Sequence, residues 1–574
     1  MDRRDFDPDG CTAWNPGVRP GIPREFQGLE TIFRPEYVVR GAEQVAEFAR
    51  LTGLAPEELT VFRPQRLALH ELIVRVTADI AVAEGEEEET LGRNFRAAAG
   101  TIWAGYIAPR MDAIEAAYGD LCRQVDAAVD GILGETLFVP PAAPAARPFP
   151  FNLWPRKRPL AEPAESTQER EQRFIAGYKA AGLAATDALE RAIYRSLYRV
   201  LGAIAATSGY VGSDRALLVD LVARHVCNRY GSQFIGQQIA PLVDAAIERE
   251  GYSRVRTQAA PILFSLKGAS AAGKSSTRPM LREVMREQGI APDGYVTISP
   301  DIWRRLLLDY EALGPARKYS GYLTSREVAV IDGKLDRYIR DKADRERAIP
   351  HLMVDRFRFD SFSSERVERV LDDTYAKYVD TMYMYFIVTP PEETVERGWQ
   401  RALERGRYKA VEDFLGHSVE AYVGMPKLLF KWLAHSRPDY RYFFLDNMVP
   451  RGTFPKTFAF GDRKAMTICD PVPFVGIERY QKIDTYAASP AHVYPPPEVM
   501  AIANNLGFLK ECVKRIPEVT FVSGPGGTPY LRVRNGKGEI LDGAVLARVM
   551  ADRDSAETLA PLLAAVGCTA APAA

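Results

Sequence analysis

The most specific chemical signal in the chain is Gly268-Ala269-Ser270-Ala271-Ala272-Gly273-Lys274-Ser275, followed by Ser276. It satisfies the spacing Gly-x-x-x-x-Gly-Lys-Ser/Thr. Small residues let successive backbone amides turn inward as an anion nest, and a helix start behind them adds its dipole. A lysine at 274 reaches the outer phosphates of a nucleotide, and a hydroxyl at 275 is a ligand for magnesium. The stretch therefore predicts a cradle for the phosphate chain of a nucleotide with Mg2+. Ala271 stands where many such loops carry glycine. Alanine tolerates positive φ poorly, so a slight reshaping of the loop is expected there.

Other candidates follow in order along the chain. Asp301 lies just past an apolar run, "YVTIS" (295–299). A carboxylate there could take the proton of an attacking hydroxyl; the alternative is an ordinary helix N-cap. Arg304, one turn on, could orient an acceptor or be solvated. "HLMVDRFRFDSF" puts Asp355 at the end of another apolar run, the place for a carboxylate that holds magnesium. Asp360 is a weaker second choice. In "PEETVERGWQRALERGRYK" Arg397, Arg401 and Arg405 recur at four-residue steps and so share one helix face. Val395, Trp399 and Leu403 form the opposite, anchoring face. Gly406 ends the helix, and Arg407 and Lys409 follow. Such a row can neutralise charge developing on a transferred phosphoryl group. The alternative is a solvated face paired to Glu393, Glu396 and Glu404.

The elements that must position these groups begin at about residue 258. Apolar runs at 261–266, 295–299, 350–354, 384–388 and 440–445 alternate with helical stretches at 274–287, 301–310, 324–344, 363–379, 391–405 and 420–434. Apolar strands separated by helices predict a parallel sheet covered on both faces. The carboxyl ends of its strands face one crevice, which would bring Asp301 to the glycine loop. "TSRE" from Thr324 to Glu327 reads as a capping box. The expected organisation is an irregular segment (1–35), a helical region (36–138), a proline-rich linker (139–170), a second helical region (171–257), the α/β domain (258–450) and a mixed α/β extension (451–574) with glycine-turn β structure near 519–540 and a frayed tail. In the helical part, Leu189, Ile193, Leu197, Leu201 and Ile204 form one stripe, and another begins at Leu217 after a cap at Ser213. Nothing in that part bears chemistry.

Composition removes several classes. The chain has 574 residues, enough for two to four domains, with 47% apolar and 26% charged residues and a net charge of −1. A charge so near zero provides no global field toward nucleic acid or anionic membrane. The scattered 6 cysteines and 6 histidines fit neither a zinc motif nor a disulfide framework and suit a reducing compartment. Without a secretory leader or an apolar run of membrane-spanning length, a cytoplasmic protein is expected.

Asn-Lys-x-Asp, the Leu-Ser-Gly-Gly-Gln signature and an apolar strand ending in Asp-Glu are all absent. Each belongs to a different class of nucleotide hydrolase. "GASAAGKSS", "SPDIWR", "LMVDRF", "FIVTPPEETVERGWQRALERGR" and "YFFLDN" instead resemble, in that order, the zeta-toxin and polynucleotide-kinase-like phosphate-loop kinases, over about 258–450. The resemblance implies a five-stranded parallel sheet with helices on both faces. It also implies ATP and Mg2+, and transfer of the γ-phosphate to a hydroxyl of a small polar acceptor such as a nucleotide sugar, or to a polynucleotide end. Asp301 takes the base position and Asp446 and Asn447 lie near the nucleotide rim. "DRFRFDSF" replaces the family's threonine-bearing segment and leaves the acceptor open. By analogy alone the helical half would be a regulator. A second reading makes the protein a nucleotide-switched binding module with slow ATP hydrolysis.

Overall fold

The structure is a computed structural model that describes residues 10–85, 87–139, 166–356, 375–450 and 452–568. Asp360, most of the 363–379 stretch and most of the proline-rich segment lie outside them. The chain divides into two units. One comprises Met1–Arg24, Val74–Ala99 and Ile247–Ala574; the other comprises Glu25–Ile73 and Gly100–Ala246.

The second unit is helical, as its periodicity predicts. Ile193, Leu197, Leu201 and Ile204 are buried on the helix Ala188–Ser208, which Asp187 caps and the left-handed Gly209 ends. Ser166 and Glu169 make a reciprocal capping box for Thr167–Ala184. Ser213 is not the cap of the next helix. The Asp214 carboxylate takes that role, accepting from Leu217 N at 3.0 Å.

The first unit is built on one mixed sheet. Its strands are β1 (Ile262–Lys267), β2 (Tyr295–Ile298), β3 (His351–Asp355), β4 (Thr381–Val388), β5 (Asp439–Asp446), β6 (Lys456–Gly461), β7 (Ala465–Ile468), β8 (Glu518–Val522), β9 (Pro529–Arg534) and β10 (Lys537–Ile540). The five expected strands are present and parallel, in the order β2-β3-β1-β4-β5. The expectation of a five-stranded sheet is corrected. β6 pairs antiparallel with β5, and the C-terminal strands continue the same sheet to ten strands among the described residues. Phe443 on β5 stacks on Phe460 of β6 at 6.2 Å, so the outer edge of β5 is covered by β structure.

β-branched and aromatic residues make these strands and hold their register. Tyr385 stacks on Phe443 at 4.8 Å, and Phe386 stacks on Phe444 at 4.7 Å on the opposite face. That register aligns the strand ends. Leu266 lies opposite Asp355, and Val388 lies opposite Asp446. The chain that leaves β1, β3, β4 and β5 therefore emerges along one edge, where the candidate residues sit.

Among the described residues no helix is long and apolar enough to cross a membrane.

Candidate functional site

The glycine loop follows β1 and opens the helix Lys274–Glu287. Gly273, its N-cap, has φ +96, and a Cβ there would meet Asn447 Nδ2 at 2.1 Å. A Cβ at Gly268 would lie 3.0 Å from the Ile387 carbonyl. Gly273 is required and Gly268 is tightly fitted because the ends of β4 and β5 press on the loop. Ala272 O is held from both sides, accepting from Asn447 Nδ2 at 2.7 Å and from Thr389 Oγ1 at 3.1 Å. Ala271 sits at φ +61. The alanine thus occupies the left-handed region itself, at a cost of about 1–2 kcal/mol.

Lys274 turns over its own loop, with Nζ donating to the Gly268 and Ala269 carbonyls at 3.1 and 2.8 Å. Ser275 Oγ donates to Asp355 Oδ2 at 3.4 Å. This donor set, one hydroxyl and one buried carboxylate at a strand end, suits a hard cation with oxygen ligands.

Asp301 is not a helix cap. It lies in the short turn Pro300–Trp303, where no side chain caps the helix end. Instead its carboxylate binds two guanidiniums: Arg304 Nε at 2.8 Å on Oδ1 and Arg407 Nη2 at 3.1 Å on Oδ2. Enclosure in the cleft would raise this carboxyl. The charges of Arg407, Arg304 and Arg401 outweigh that effect and hold it well below the usual carboxylate range. Arg304 spends its remaining contacts on the protein, donating through Nη1 to Gly321 O and Thr324 Oγ1, each at 2.8 Å. It positions Asp301 rather than reaching for an acceptor. The expected capping box at Thr324 is absent for the same reason. Its hydroxyl accepts from Arg304 and donates to Ser320 O at 2.9 Å.

The helix Pro391–Arg405 carries the arginine row and ends at the left-handed Gly406. Its buried side is Thr394, Val395, Gly398 and Ala402. Trp399 packs partly against the same core, whereas Leu403 is 47% exposed and anchors nothing. Trp14, from the N-terminal segment, braces the helix by donating to Glu396 Oε1 at 2.9 Å. The arginines divide their work. Arg397 donates to Asn447 O at 2.8 Å and lies 3.7 Å from Glu393, so it fastens the helix to the β5 end. Arg405 pairs with Glu89 at 3.0 Å. Arg401 and Arg407 act on Asp301.

Lys274, Ser275, Asp301, Asp355 and the arginines at 304, 397, 401, 405 and 407 line one cleft of 1090 Å³. It also receives residues with no recognisable motif. His417 and Lys409 are in hydrogen-bond contact there. Burial, with Lys409 and Lys274 nearby, pushes the His417 imidazole down to about 2, so it is neutral. Burial also draws Lys409 well below the usual lysine range, with Arg407 and Arg401 adding to it against Asp413. Tyr322 donates to Asp413 and accepts from Ala410 N at 3.0 Å, fixing the chain after the arginine helix. Glu89, Gly92 and Arg96 enter from the helix Glu88–Ile102. That helix falls in the expected helical region (36–138), but nothing in its sequence tied it to the cleft.

Comparison with family models, with curated proteins and with solved structures gives no match.

Proposed function

We propose that the protein is an ATP- and Mg-dependent phosphotransferase that delivers the γ-phosphate to a hydroxyl of a small polar acceptor or of a polynucleotide end. The observation that carries this reading is the shared cleft. It holds the glycine loop with Lys274 and the Ser275–Asp355 pair, and it also holds Asp301 clamped by Arg304 and Arg407. The strand order β2-β3-β1-β4-β5 and the loop's place after β1 support the resemblance to phosphate-loop kinases.

The loop amides and Lys274 bind the phosphate chain. Ser275 and Asp355 would hold magnesium, which neutralises charge on the phosphate oxygens. Asp301 accepts a hydrogen bond from the acceptor hydroxyl and orients its oxygen. As that oxygen bonds to the γ-phosphorus, the bond to the β–γ bridging oxygen breaks and the hydroxyl proton passes to Asp301. A carboxylate with depressed basicity suffices, because a loose phosphoryl-transfer transition state leaves the proton on the acceptor until late. Arg401 and Arg407 face the charge that spreads over the transferred group.

The test is incubation with γ-labelled ATP and a metabolite extract. A labelled organic product is expected, and Asp301→Asn is expected to lower its rate about 10²–10⁴-fold with nucleotide binding retained. Release of free phosphate alone would overturn the proposal and favour a nucleotide-driven switch.

A further inference from the structure

Beyond Asp301 the cleft has a wall that the phosphate chain of ATP does not account for. There Arg96 is half-buried. Its guanidinium lies over Gly92 so closely that a Cβ at 92 would come within 3.1 Å of Nη1. Among the described residues, Arg96 has neither a hydrogen-bond acceptor nor a carboxylate within ion-pair distance. The charged groups that face it are Arg305, Glu89 and Arg93. Glu89 is already paired with Arg405 at 3.0 Å. Arg305 donates to the Arg405 carbonyl at 3.3 Å, and its guanidinium carbon lies 5.5 Å from the centre of the Tyr310 ring. Glu89, already paired with Arg405, is also the carboxylate whose charge reaches Arg96. Burial, then repulsion from Arg305, lowers the hold of Arg96 on its proton.

A half-buried guanidinium with a like-charged neighbour and, among the described residues, no acceptor is less favoured than a paired one. It becomes favourable when an anion with several oxygens enters and takes the planar fork of donors. Resting on the kinase reading above, we propose that Arg96 and Arg305 form a subsite for a phosphate group that the acceptor already carries. The hydroxyl presented to Asp301 would then belong to a phosphorylated molecule, which a preceding phosphorylating reaction must supply.

The test is calorimetric titration of inorganic phosphate into the full chain already saturated with Mg2+ and a β,γ-imido analogue of ATP, which fills the nucleotide end. Phosphate is expected to bind. Arg96→Gln is expected to weaken it about tenfold or more, and Arg305→Gln less, because Arg305 is more exposed. Acetate is expected not to compete. Affinity for the analogue reports whether each variant is folded. Phosphate binding that both variants leave unchanged would overturn the subsite, as would equal binding of acetate. The two proposals fail separately. Transfer from labelled ATP with no role for Arg96 in phosphate binding removes the subsite alone. Phosphate binding that depends on Arg96, with no transfer to any acceptor, removes the kinase reading and leaves an anion site.

Discussion

Gly273→Ala isolates how the sheet edge holds the glycine loop. Residue 273 has φ +96, so any side chain there is strained by about 1–2 kcal/mol. The new Cβ would also lie 2.1 Å from Asn447 Nδ2, too close to coexist. Asn447 must swing away, and its buried bond to Ala272 O at 2.7 Å is lost. Ala272 O keeps its bond from Thr389 Oγ1, but leaving the buried Asn447 amide without its acceptor costs about 1–3 kcal/mol. The sum is about 2–5 kcal/mol. In an Asn447→Ala background the collision disappears and only the strain of about 1–2 kcal/mol remains. A double-mutant cycle on denaturant unfolding, read as midpoint shifts at constant m, should therefore show a coupling of about 1–3 kcal/mol. If Gly273→Ala costs the same with and without the Asn447 side chain, the steric argument is refuted.

Gly398→Ala places a Cβ 2.1 Å from Phe414 Cζ in the core beneath the arginine helix. It should destabilise by about 1–3 kcal/mol, and an unchanged melting temperature would contradict that packing. Asp355→Asn removes a charged oxygen from the pair with Ser275 and should raise the Mg2+ needed for half-maximal nucleotide binding by about tenfold. A magnesium titration checks this, and an unshifted midpoint would locate the metal elsewhere. The Asp301 carboxyl is held below the ordinary aspartate value of 3.8. Its contribution to stability is therefore present above that value and fades as pH falls through the lower folded one. The stability difference between wild type and Asp301→Asn should be constant from pH 7 down to about pH 4 and shrink below that. A difference already shrinking near pH 6 would mean that the arginines do not hold the carboxyl down.

What the sequence showed was local. Five β-rich runs, the glycine loop and the arginine helix announce themselves by composition and period, and the parallel sheet brings their ends together. What it hid was non-local. "KTFAFG" (456–461) gives no sign that it will zip onto β5, because pairing depends on the partner edge. Arg96 and Glu89 reach the cleft from a helix some two hundred residues before Asp301, with no spacing rule to join them. Leu403 obeyed the helical period and is still exposed, because the anchoring face is set by Gly398, which lets Phe414 approach. The Thr324–Glu327 box failed because a distant arginine took the threonine hydroxyl.

The pairing of β6 with β5 has a consequence for anyone dissecting this chain. Asp446 and Lys456 lie opposite each other, so the segment between them, which contributes Val449, Pro450 and Thr453 to the cleft, is a loop stapled shut at its base. The change of sequence texture near residue 450 is a seam rather than a place to cut. A fragment ending there would free one arm of that loop and strip β5 to an unpaired apolar edge, a surface prone to aggregation. Expression of 258–450 alone should yield insoluble protein, and restoring the strands through β10 should rescue it.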